Sequence, residues 1–103
     1  MTEDFEYISI ILKEACMAES YQVEIKVVSQ KGECVLGHKV GDTWTMESTT
    51  PAGLCASAFN SFFPDLRVLR FGGALPWEED KDTATVACPD ALNPVVFRIR
   101  RIR

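Results

Sequence analysis

The sequence has a single histidine, no excess of basic charge and no long apolar run, and the last two shortages each argue against a class of function. The formal charge is −4. That argues against general nucleic-acid binding, which depends on Lys and Arg neutralising phosphates. The longest near-apolar run, Ile8 to Leu12, falls far short of the ~20 residues that cross a bilayer as a helix. The opening residues, MTEDFEYISII, carry acids where a secretory leader would carry Lys or Arg, so no signal peptide is read and a cytoplasmic protein is expected. There is no phosphate loop, dinucleotide fingerprint, serine elbow or HExxH zinc motif. Low-complexity tracts and internal repeats are also missing.

What is present suits one domain over residues 1–103: an apolar fraction of 47%, enough for a single core. Phe5, Ile8, Leu12, Ala15 and Cys16 fall at helical spacing, predicting a helix over about 2–18 capped by Thr2. Its apolar surface is broad, with Tyr7, Ile10 and Ile11 added, and it is a candidate contact for a homo-oligomer as well as for its own domain. Val23, Ile25 and Val27 alternate with Gln22, Glu24 and Lys26 in a first strand over 21–29. Thr43 to Met46 reads as a second strand, Thr83 to Cys88 as a third and Val95 to Ile102 as the last. Ser48-Thr49-Thr50-Pro51 resembles a helix start and Pro64-Asp65 a stop, predicting a central helix over about 51–63. Leu66 to Phe71 then reads as a short strand or an irregular segment.

This order predicts an α+β fold with a small curled, mainly antiparallel sheet or open barrel around one central helix. The first and last strands are expected to be neighbours, bringing Glu24 and Lys26 beside Arg98 and Arg100. The terminal arginines, Arg98, Arg100, Arg101 and Arg103, read as a solvated strand face balanced by acids, with anion contact as the alternative.

The chemistry-bearing residues cluster in Cys34 to Cys55, CVLGHKVGDTWTMESTTPAGLC, with Cys88 further on. Cys34, His38, Cys55 and Cys88 form a Cys₃His set that suits a zinc-like ion, although their spacing lacks the two tight ligand pairs of a zinc finger. A second reading makes Cys55, near a helix start, a nucleophile with His38 as its base. A third packs the cysteines as small core residues. Asp42 and Asp90 read as local turn residues, and Trp77 as a cover for a pocket or a plug at one end of the core.

From Tyr21 onward the chain resembles a family of small uncharacterised prokaryotic proteins. The residues that carry the likeness are YQVEIKVV, KGECVLGHKVGD, TPAGLC, FGGALPW and ACPDALNPVVFRIRRI. The resemblance implies a shared fold and motif set and no particular activity. It leaves residues 2–18 outside the shared core, and it singles out Cys34, His38, Asp42, Cys55, Cys88 and Asp90. The expected function is a small binding or structural domain with a Cys/His site, the alternatives being a metal-binding protein and a thiol-dependent enzyme. In every case Cys34, His38, Cys55 and Cys88 are expected to converge.

Overall fold

The computed structural model describes residues 20–103. The helix expected over 2–18, and Cys16 with it, lies outside them. The described elements run β1 (Val23–Gln30), β2 (Thr43–Met46), α1 (Ala56–Arg70), β3 (Thr83–Ala87) and β4 (Val95–Arg101). The strands form one antiparallel sheet in the order β2-β1-β4-β3. The sheet does not close into a barrel, because β2 and β3 each have one neighbour only.

Alternation decides which face is covered. Val23, Ile25 and Val27 of β1 and Val95, Phe97 and Ile99 of β4 are fully or almost fully buried. They meet Ala58, Phe62, Leu66 and Leu69 of α1, which recur at helical spacing down one side. The opposite sheet face keeps Lys26, Thr43, Thr45, Thr85, Arg98 and Arg100 in water. β1 and β4 pair as expected, with Glu24 opposite Arg100 and Lys26 opposite Arg98. Arg100 finds its ion pair elsewhere, with Asp80 at 3.2 Å.

The central helix departs from its expected bounds at both ends. It does not begin at Pro51, because Gly53 adopts φ +81° in a turn that no helix can pass through. The first helical bond, from the Phe59 amide to the Cys55 carbonyl, comes later. At the other end Pro64 sits inside α1 instead of stopping it. The apolar stripe continues through Leu66 and Leu69, so the segment expected to be a strand or irregular is helical to Arg70. The stop is Gly72-Gly73. Gly72 takes φ +87°, and its amide donates to the Leu69 carbonyl while that of Gly73 donates to Val68. That pair of bonds is a Schellman closure. A Cβ on Gly73 would lie 2.9 Å from the Val68 side chain, so the second glycine is required by packing.

Arg101 corrects the reading of the terminal arginines. It follows Phe97 and Ile99 on the inward phase of β4 and is buried. Its Nη1 donates to the carbonyls of Leu69 (2.9 Å) and Gly73 (2.7 Å), and its Nη2 to that of Lys81 (3.0 Å). Its Nε and Nη2 both reach Asp82 Oδ1, at 3.0 and 2.7 Å. The guanidinium thus ties the end of α1 to the start of β3. Arg98, Arg100 and Arg103 are the exposed members of the set. Trp77 neither plugs the core nor covers a pocket: it is 70% exposed, and Leu75 is the buried residue of that loop.

Hydrogen bonds from Arg101, and next from Arg103, hold the Asp82 carboxyl below the ordinary carboxylate range. The stabilisation linked to a lowered carboxyl is complete above the unfolded value of about 3.9 and is lost as pH falls through the folded value. Asp42 has the same sign, its carboxylate accepting the Lys39 amide. Asp82→Asn is therefore expected to flatten the acid limb of a Tm-against-pH curve below about pH 4. An acid limb as steep as the parent's would show that Asp82 does not set it.

Candidate functional site

Three of the four residues singled out by the sequence line one cleft of about 340 Å³: Cys34, Cys55 and Cys88. They arrive from three places, namely the β1–β2 loop, the residue preceding α1 and the end of β3. All three are half-buried free thiols packed against the edge of the core. Ser57, Asp90, Asn93 and Val95 complete much of the wall.

His38 is not among the residues that line the cleft. Its side chain is enclosed, at 6% exposure, with its ring edge-on to Trp44 at 5.0 Å and to Phe97 at 6.4 Å. The Cys55 backbone amide donates to His38 Nε2 at 3.1 Å. To accept that bond Nε2 must be the unprotonated nitrogen, which places the ring proton on Nδ1. No side chain caps α1, so this histidine is what fixes the entry of the chain into the helix. The geometry brings His38 and Cys55 together as expected, through main chain instead of sulfur. The lone pair that a general base would turn on the Cys55 thiol is already used.

Cys88 is engaged in a similar way. Its Sγ accepts the Val95 amide at 3.2 Å, and its own amide donates to the Val95 carbonyl at 2.8 Å. Among the described residues no three His, Cys, Asp or Glu side chains are grouped so as to hold a metal ion. The cysteines share a cleft without being drawn up around one point.

Two turns form the lips. In the first, the Gly37 amide donates to the Cys34 carbonyl, leaving Val35 and Leu36 at the tip. In the second, Asp90 Oδ1 accepts the amides of Leu92 and Asn93, leaving Ala91 and Leu92 at the tip. Asn93 Oδ1 accepts the Glu33 amide at 3.1 Å and so ties the loops together. Gln30, with its amide oriented as its neighbours require, donates to the His38 carbonyl and accepts the Cys34 amide. Asp42 and Asp90 thus have the local roles that the sequence suggested. The lips themselves were not legible, because Val35, Leu36 and Leu92 read simply as apolar. Val35 is 95% exposed and Leu92 85%.

His38→Phe keeps a ring between Trp44 and Phe97 and removes the acceptor. It is expected to cost about 1 kcal/mol, the net worth of one hydrogen bond. His38→Ala should cost more by adding a cavity. Denaturant unfolding gives the energies, and amide exchange at Cys55 gives the local readout. Unchanged Cys55 protection in His38→Phe would show that the ring is only packing.

In comparisons with family models, with curated proteins and with solved structures, the chain finds no match.

Proposed function

We propose that this is a small binding domain whose cleft between the 34–37 turn, the start of α1 and the 88–93 connection takes a small apolar ligand. One observation carries the reading. Both turns beside the cleft hold large apolar side chains out to water, at Val35, Leu36 and Leu92. Turn tips ordinarily use Gly, Asn, Asp, Ser or Pro. Apolar residues there add nothing to the core, and a ligand that covered them would gain the free energy of their burial. The cleft volume lies at the low end for small-molecule sites. The half-buried thiols give it a soft, weakly polar floor.

The test uses the probe 1-anilinonaphthalene-8-sulfonate. Its fluorescence should rise and shift to the blue with the parent protein. The response should fall in Val35→Ser and Leu36→Ser variants whose Tm is unchanged, since both residues line the cleft. Equal dye response in all three proteins would overturn the reading.

A metal-binding role is the second reading, favoured by three cysteines on one cleft. It requires the two loops to move so that the sulfurs face one point. Elemental analysis of protein purified without an affinity tag, paired with native thiol counting before and after a chelator, separates the two.

A further inference from the structure

A second groove, of about 350 Å³, lies along α1 and shares no lining residue with the thiol cleft. Pro51, Leu54, Phe59 and Phe63 supply its apolar wall. Phe59 and Phe63 stack at 5.0 Å, one helical turn apart and half-buried, beside the sheet-facing stripe of Phe62 and Leu66. The Arg67 guanidinium lies over the Phe63 ring at 5.9 Å, and among the described residues it has no acidic partner.

We propose that this groove is the docking site of the chain's own N-terminal segment, with Ile8, Leu12, Ala15 and Cys16 against Leu54, Phe59 and Phe63. Three observations choose that occupant. The first is pattern: those four residues recur at helical spacing, which matches the Phe59–Phe63 pair as one helix face matches another. The second is charge. Residues 20–103 carry equal numbers of acidic and basic side chains, so the whole net charge of −4 lies in residues 1–19. There Glu3, Asp4, Glu6, Glu14 and Glu19 stand against Lys13 alone, and Arg67 borders the groove. The third is reach. The Tyr21 amide donates to the Arg70 carbonyl, which places the start of the described chain at the end of α1. Phe63 is seven residues back along the helix, about 10 Å. The four residues between Cys16 and Tyr21 span about 13 Å when extended. A tether that short gives an effective concentration in the millimolar range, which favours the chain's own segment over a second copy's.

The test is hydrogen exchange on the full chain at two protein concentrations. Amides of residues 5–16 should be protected, equally at both concentrations. Phe63→Lys should speed their exchange at least about tenfold. Ile8→Lys, which lies outside the described domain, should do the same. Amides of β1 and β4 serve as the control that the sheet remains folded. Equal exchange of residues 5–16 in the parent and in Ile8→Lys would overturn the proposal. So would protection that grows with concentration, which would assign the groove to a second copy.

Discussion

Arg101→Ala is expected to lower the folding free energy by about 3 kcal/mol, near the lower limit for breaking a buried ion pair because Asp82 stays partly hydrated. For a chain of this size that is a fall in Tm on the order of 15 °C. The physical argument is one of stranded acceptors. The guanidinium serves the carbonyls of Leu69, Gly73 and Lys81 as well as Asp82 Oδ1. The Leu69 carbonyl would keep the Gly72 amide, so the acceptors stranded by the loss are chiefly those of Gly73 and Lys81. The side chain also stacks over Tyr21, its Cζ 5.5 Å from the ring centroid. Alanine would remove the donors and the packing together and leave carbonyls facing a void. Arg101→Lys should recover only a minor part, because an ammonium is a point donor and cannot reach this fork of acceptors. Calorimetry of the three proteins checks it. If both variants melt within a few degrees of the parent, the network adds nothing to stability.

Arg101 also has its burial written in the sequence, in the phase of β4. The alternation that places Phe97 and Ile99 inward puts residue 101 inward too. Grouping it with its basic neighbours hid that phase. The strands were legible because a half-buried antiparallel sheet writes its period directly into the chain. β2 is Thr43–Met46, as read, and the pairing of β1 with β4 follows from which strands are longest and most apolar. The barrel was not excluded by the same pattern, since alternation tells which face is buried and not whether the edges meet. At the site, the three cysteines expected to converge with His38 line one cleft without being grouped around one point. The task of His38 was not legible. An imidazole that accepts a backbone amide leaves no spacing signature that separates it from a metal ligand or a base.

The helix boundaries differ from those the sequence predicts for a reason that can itself be tested. Pro64 reads as a stop because proline lacks an amide hydrogen and its ring crowds the carbonyl four residues back. Both costs are present here, since Pro64 lies inside α1 and the carbonyl it cannot serve is that of Asn60. The helix runs through it because Leu66 and Leu69 are completely buried beyond that point. Burying a Leu side chain is worth about 1.5–3 kcal/mol, so the two together match or outweigh one interior proline at about 3 kcal/mol. Gly72-Gly73 then supplies the real stop. Pro64→Ala should therefore stabilise the protein. It restores one helical hydrogen bond and relieves the crowding. Against that stands the greater freedom of the unfolded chain, worth about 0.4–1 kcal/mol. The expected net gain is about 2 kcal/mol, or a Tm higher by about 10 °C. Pro64 is exposed, so no packing is lost with its ring. Denaturant unfolding of the two proteins, with the slope m unchanged, is the measurement. A loss of stability in Pro64→Ala would mean that the proline bends α1 into its seat on the sheet and that the burial of Phe62 and Leu66 depends on that bend.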